Sequence, residues 1–312
     1  MKVAIAGSSG YIGSALAERL ERAGHEVVRL RRGAQGAPKV DWAPQDGWVR
    51  PGALDGVDAL VNLAGVSIGA KRWTAGRREA LISSRIDSTR TLVRHMASMS
   101  ERPRVLINAS AVGYYGYARG AEDLTEDGSK GEGFLADLVA DWEAEARAAE
   151  AHGVRTVLLR TAPIIGPGSE LIDRLAMPFK MGVGGTIGDG KQWFSWVSLE
   201  DELGVIEHAL NDESVSGPIN ATSPNPVTNK EFTKALGSVL HRPTLLPLPA
   251  FMLRLVFGRG RAEETLLASQ RVHPARAQSS GYRFAEPTIE GALRTAFGRG
   301  AGAGERRAEV AS

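Results

Sequence analysis

Gly7-Ser8-Ser9-Gly10-Tyr11-Ile12-Gly13 sets three glycines at the spacing G-x-x-G-x-x-G, and its flanks decide how that spacing is read. Lys2–Ala6, just before it, reads as a buried strand, and residues 12–22 follow as a helix with Ile12, Ala15, Leu16 and Leu20 on one face. Glycine-rich turns are common, and alone they say little. Between a strand and a patterned helix the meaning sharpens. The tight turn lets backbone amides approach a pyrophosphate, and the helix N-terminus offers unpaired N–H groups and a positive dipole end. Gly7, Ser9, Gly10, Tyr11, Ile12 and Gly13 are therefore expected to contact a dinucleotide cofactor.

Working outward, short apolar runs alternate with helical patterns. Strands are expected at Glu26–Leu30 and at residues 59–63, 105–109 and 156–159, with helices over residues 77–99 and 134–151. This alternation predicts an α/β fold, a Rossmann-type doubly wound parallel sheet over residues 1–166. The glycine-rich, acidic stretch 116–133 reads as a surface loop. After Gly166 the rhythm breaks, glycines cluster at 182–190 and prolines punctuate the remainder. Residues 167–297 are read as a smaller, mixed α/β C-terminal lobe that carries the substrate. Residues 298–312 lack apolar anchors and read as a disordered tail.

The strand ending at Leu30 is followed by Arg31 and Arg32. NAD-binding proteins of this architecture place an acid here, about 20 residues after the glycine motif, to accept from the ribose hydroxyls. An arginine fork instead suits a 2′-phosphate, so the expected cofactor is NADP(H).

Composition narrows the partners. With 43% hydrophobic and 24% charged residues and a net charge of +2, the chain has an ordinary globular composition, and nothing compels a nucleic-acid partner. It has no cysteine, which excludes disulfides and thiolate chemistry. Six scattered histidines show no metal-ligand spacing, so no metal is expected. Met1 leads straight into a strand and no apolar run reaches spanning length, so the expectation is a cytoplasmic protein, monomer or homodimer, without a membrane partner.

Further motifs carry a resemblance. GSSGYIG, Asn62-Leu63-Ala64-Gly65, Lys71-Arg72-Trp73, Ser84-Arg85-Ile86, the run from Ser110 to Gly116, Phe134-Leu135 leading to Trp142-Glu143, and GDGKQWFSWVSLED from Gly188 stand in order along the chain. Together with Leu248-Pro249, Gln270-Arg271-Val272 and Gly281-Tyr282-Arg283-Phe284, this pattern resembles the atypical, epimerase-like subfamily of extended short-chain dehydrogenase/reductases, with its C-terminal extension of unknown function beginning near residue 248. The resemblance covers residues 1 to about 297. It implies further cofactor contacts at Leu63, Ala64, Gly65, Arg85 and Pro163, and a nicotinamide near residues 160–165.

It also exposes a departure. Ordinary members of that superfamily carry Y-x-x-x-K, whose tyrosine exchanges a proton with the substrate hydroxyl and whose lysine lowers the tyrosine pKa. None of the five tyrosines here has a lysine four residues on. Counted back from Glu143, the tyrosine slot holds Leu135 and the lysine slot Val139, while the usual serine or threonine falls on Ala111. General acid–base catalysis needs a titratable group within hydrogen-bond reach. The named replacements are Tyr114 and Ser110. Lys71, Arg72, Trp73, Tyr115, Gln192, Trp193 and Trp196 are the candidates to bind a small polar molecule, nucleotide-linked ones included. Two readings follow: an NADP-dependent oxidoreductase or epimerase with non-standard catalytic groups, or a non-catalytic NADP(H)-binding regulatory protein.

Overall fold

The computed structural model describes residues 1–298; of the expected tail, residues 299–312 lie outside the described residues. Six parallel strands form the central sheet: β1 (Lys2–Ala6), β2 (Glu26–Leu30), β3 (Ala59–Asn62), β4 (Val105–Ala111), β5 (Arg155–Thr161) and β6 (Gly217–Ala221), in spatial order β6-β5-β4-β3-β1-β2. The order reverses at β1, with β2 on one side and β3 to β6 on the other. Such a switch point opens a crevice at the carboxyl ends of the strands.

Both faces of the sheet are covered, which is why its strands read as continuous apolar runs. Successive residues point to opposite faces. Ile5, Val61 and Ile107 pack with Leu16 and Leu20 of α1 (Tyr11–Arg22). Ala4, Leu60 and Leu106 pack on the other side with Leu92 and Met96 of α2 (Ala75–Ser98) and Ala146 of α3 (Phe134–Arg147). The expected boundary at Gly166 does not separate the sheet from the rest. Past it the chain forms α4 (Glu170–Lys180), then returns with α5 (Leu199–Asn211) and β6 to complete the sheet, Ile206 and Leu210 of α5 joining the first core. A second core around Trp196 and Phe232 gathers α4, α6 (Asn229–Leu240) and, beyond α7 (Ala250–Phe257), α8 (Arg259–Glu264) and α9 (Ala275–Ser279), the last helix α10 (Ile289–Ala296).

The stretch 116–133 is not wholly a loop. Ala118–Leu124 is a strand paired in parallel with Ser269–Val272. Its composition is polar and most of it is exposed, and its partner lies far along the chain, so no local pattern betrays it.

One buried acid has energetic weight. Glu202 of α5 is fully buried; its Oε1 accepts from Thr161 Oγ1 at 2.8 Å and its Oε2 has no partner. Burial pushes its pKa up to about 8. Between the ordinary glutamate pKa and that value, the folded chain holds a proton that the unfolded chain has released, so stability falls as pH rises through this window and levels off above it. Glu202→Gln should match the parent at pH 5 and exceed it by a few kcal/mol near pH 8.5. Urea denaturation of both proteins at the two pH values checks this, and parallel pH profiles would contradict it.

Candidate functional site

The glycine turn is built by close approach. Gly7 has φ +83°, and a Cβ there would stand 2.8 Å from the Leu63 carbonyl at the end of β3. A Cβ at Gly13 would lie 2.2 Å from Gly7 O, so α1 starts hard against the turn. Helix α1 has no side-chain cap on Gly10 and no acid in its first turn. The N–H groups of Tyr11, Ile12 and Gly13 find no acceptor within the protein. Ser9 and Gly10 are exposed. A helix end of this kind, open and uncapped, fits a pyrophosphate. Tyr11 closes the other side: its hydroxyl donates to Pro167 O at 3.1 Å, and burial, helped by Asp173, pushes it up to about 12.

Arg31 and Arg32 are exposed just past β2. Arg31 Nε donates to Asp41 Oδ2 at 3.1 Å, while Arg50 holds Asp41 Oδ1 at 2.9 Å. Burial works against the charge on Asp41, but the hydrogen bonds from Arg31 and Arg50 outweigh it and hold the carboxyl below the usual carboxylate range. The terminal nitrogens of Arg31 and the guanidinium of Arg32 have no protein partner. Asp41, which pins Arg31, escaped the sequence reading because the contact forms only when the chain doubles back beside β2.

Leu63 and Ala64 flank Gly7 across the crevice, and Gly65 overlies Arg85, whose guanidinium carbon would be 3.4 Å from a Cβ at Gly65. Arg85 is buried without a carboxylate. It donates to the carbonyls of Leu81 and Val66, both at 3.2 Å, and lies over the Trp142 ring. Burial, with Arg77 nearby, pulls its pKa down to about 10. A buried cation lacking a counter-ion beneath the crevice suits an anionic ligand. Pro163 is half-buried after β5, its carbonyl accepting from Val197 N.

Ser110 and Tyr114, the candidate catalytic residues, both border one buried ion pair. Arg160 of β5 and Glu143 of α3 form a two-point ion pair, Nε to Oε1 at 2.8 Å and Nη2 to Oε2 at 2.9 Å, with both side chains buried. Ser110 Oγ donates to Glu143 Oε1 at 2.6 Å and is buried, so its hydroxyl serves this pair. Tyr115 is fully buried: it donates to Asn220 Oδ1 at 2.8 Å and accepts from Arg160 at 3.0 Å. The expectation that Tyr115 lines a substrate pocket is corrected, because no face of it reaches the crevice. Tyr114 is half-buried with its ring 3.6 Å from the Arg160 guanidinium, and its hydroxyl has no protein partner. Leu135 and Val139 are buried.

At the Leu135 slot stands a group that the sequence reading missed. Glu264 of α8 reaches across to the uncapped start of α3, and its Oε2 accepts from Leu135 N at 2.8 Å. Its other oxygen has no protein partner. Beside it, Trp73 meets Phe134 edge to face at 5.3 Å, and Arg78 lies 4.9 Å over the Phe134 ring. Lys71 and Arg72 are exposed on the loop between β3 and α2, and Arg261 of α8 binds the carbonyls of Gly69 and Lys71. Gln192 and Trp193 belong to a separate group. Gln192 donates to Ile187 O, and Trp193 lies under Arg271, whose guanidinium is 4.5 Å away. Trp196 is corrected: it is fully buried in the second core, its indole donating to Asn225 O. An open depression of about 680 Å³ lined by Arg155 and Gly217 sits at the opposite, amino-terminal ends of β5 and β6.

Residues 3–221 match the NAD dependent epimerase/dehydratase family, and residues 248–296 match a domain of unknown function, DUF1731. The chain belongs to the NAD dependent epimerase/dehydratase family. An epimerase family protein of Mycobacterium tuberculosis is 44% identical over 292 residues, covering 93% of this chain and 96% of its own. The epimerase family protein SDR39U1 of Homo sapiens is 34% identical over 297 residues, covering 94% and 99%. A crystal structure of human SDR39U1 (isoform 2) with NADPH superposes with a TM-score of 0.85 at 32% identity, covering 95% of this chain and 99% of that one. The nucleoside-diphosphate sugar epimerase of Corynebacterium glutamicum, also 32% identical, gives 0.78 over the whole of this chain and 62% of its own. The family match ends at the last residue of β6, where the sheet ends. Among the described residues, no helix is long and apolar enough to cross a membrane, and no cluster of three or more ligating side chains could hold a metal.

If Ser110 serves the buried pair, its removal is a stability change. Ser110→Ala should cost about 1 kcal/mol, and Glu143→Gln, which strands Arg160, about 3 kcal/mol or more. Urea denaturation gives both values; equal, small losses would contradict the arrangement.

Proposed function

We propose that this chain binds NADP(H) in the crevice between β1 and β3 and acts as an oxidoreductase or epimerase on a small polar molecule, with proton-transfer groups other than tyrosine and lysine. The observation that carries the reading is the pair of unpartnered arginine ends at the close of β2, set beside an uncapped α1. Gly7 and Gly13 hold the turn tight enough for the amides of Tyr11, Ile12 and Gly13 to take a pyrophosphate. Arg31 and Arg32 meet the 2′-phosphate, with Asp41 fixing Arg31 in place. The NADPH in the human SDR39U1 structure supports this choice of cofactor.

When bound, the cofactor supplies hydride transfer at its nicotinamide. The chain's own part is to place and exclude. Arg85 adds buried positive charge under the crevice, and Lys71, Arg72 and Trp73 border it. For proton transfer the reading rests on Tyr114, whose hydroxyl is unengaged, and on Glu264, which stands at the Leu135 slot with one free oxygen. Glu264 is what favours an enzyme over a non-catalytic binder, since it returns a titratable group to the position where the tyrosine is missing.

An arginine–phosphate pair of this kind is worth roughly 1.5–3 kcal/mol, or on the order of ten- to a hundredfold in affinity. Fluorescence titration should therefore show NADPH binding tighter than NADH by that factor, and Arg31→Asp should abolish or reverse the preference with the fold intact. Equal dissociation constants would overturn the cofactor assignment. Tyr114 and Glu264 differ in reach from the tyrosine–lysine pair that serves sugar nucleotides, and a general base out of reach typically costs about 10²–10⁴-fold, so a panel of UDP- and dTDP-hexoses should show no useful turnover. Turnover on the order of 1 s⁻¹ would show that a standard epimerase reaction survives here.

A further inference from the structure

Every large apolar side chain that stands open to solvent among the described residues falls in one of two stretches, 171–183 and 245–256. The two lie close together. Leu248 N donates to Thr186 O at 2.8 Å and Gly188 N to Leu248 O at 3.0 Å, so the segment leading into α7 runs alongside the chain that leaves α4. Helix α7 is the centre of the patch. Of its eight residues only Leu253 is buried, while Phe251 is 65% exposed, Leu255 76% and Val256 63%. Leu245, ahead of it, is 83% exposed. Isolated apolar side chains on a surface need no explanation, but a contiguous group of this size marks an interaction site.

The charge around the patch says what kind. From Phe232 to Ala262 the sequence contains no Asp or Glu, yet it carries Lys234, Arg242, Arg254, Arg259 and Arg261. Arg254 is answered by Glu263. Arg242 and Arg259 are exposed and have no carboxylate partner. Arg72 lies beside the end of α7, its Nε 3.5 Å from where a Cβ on Gly258 would stand, and it too is unpaired. The surface is thus an apolar helix face bordered by free cations.

We propose that α7 and the segment before it dock this protein on an anionic lipid surface, the apolar side chains entering the boundary between headgroups and acyl chains while Arg72, Arg242 and Arg259 meet lipid phosphates. Interfacial helices combine these two features, and their binding draws on buried apolar area together with attraction to anionic lipid. A second copy of the chain fits less well. A two-fold contact centred on α7 would bring the acid-free segment 232–262 against itself, with only Asp173 of the neighbouring stretch 171–183 to answer its several arginines. No spanning helix is involved, so the proposal adds a peripheral membrane partner that overall composition does not reveal.

The test is co-sedimentation of the full chain with vesicles of equal parts phosphatidylglycerol and phosphatidylcholine, and with phosphatidylcholine alone. On the order of tenfold more protein should pellet with the anionic vesicles at low salt, and high salt should reverse much of it. Phe251→Glu combined with Leu255→Glu should lower the bound fraction at least about tenfold while leaving NADPH titration unchanged, which separates this proposal from the cofactor assignment. Should that variant fail to fold, Arg242→Ala with Arg259→Ala decides: reduced binding to anionic vesicles supports the proposal, and parental binding overturns it. Parental protein that stays in the supernatant with anionic vesicles overturns it. So does parental protein that is a dimer by light scattering and becomes a monomer in the Phe251→Glu, Leu255→Glu variant.

Discussion

The buried ion pair between Arg160 and Glu143 ties β5 to α3 beside the crevice. Two hydrogen bonds join β5 to α3, Ser110 of β4 donates a third to Glu143, and the Tyr115 hydroxyl accepts from Arg160 and donates to Asn220. A buried pair of this geometry contributes little beyond an apolar packing, but losing one member leaves an uncompensated charge. Its neighbours are therefore committed. The hydroxyl of Ser110, a candidate for catalysis, and that of Tyr115, a candidate for substrate binding, are already engaged in keeping two charges satisfied.

The C-terminal extension makes the second set of connections. Ser269–Val272 pairs with Ala118–Leu124, and Gln270 Nε2 donates to the carbonyls of Val112 and Gly116. Asp201 at the start of α5 accepts from the Tyr282 hydroxyl at 3.0 Å, Ala285 N at 2.7 Å and Glu286 N at 3.0 Å. Helix α8 then reaches the loop after β3 through Arg261 and the start of α3 through Glu264. The extension thus ties the loop after β3 to the start of α3.

The sheet was legible wherever both faces of a strand are buried, because continuous apolar runs follow from that burial. β1 to β5 and the helices between them could be placed to within a few residues. The glycine turn was equally plain, since it couples a strand, a helix and a spacing within a dozen positions. What escaped was long-range. β6 carries Pro218 and Asn220 and belongs to a sheet begun far earlier in the chain. Ala118–Leu124 is polar and pairs with a distant strand. Glu264 meets Leu135 across a separation of 129 residues. Tyr115 and Trp196 show the converse: an aromatic residue near a motif has the same letter whether it lines a cleft or fills a core, and only packing separates the two.

The central claim is that a complete NADP(H) crevice is joined to a proton-transfer apparatus rebuilt without the tyrosine–lysine pair. A crystal structure of the chain with NADPH tests it most directly. The pyrophosphate should lie on the amides of Tyr11 to Gly13, the 2′-phosphate within hydrogen-bond reach of Arg31 and Arg32, and Tyr114 or Glu264 should be the titratable group nearest the nicotinamide C4. A 2′-phosphate turned away from both arginines, or a nicotinamide C4 surrounded only by apolar side chains, would contradict it.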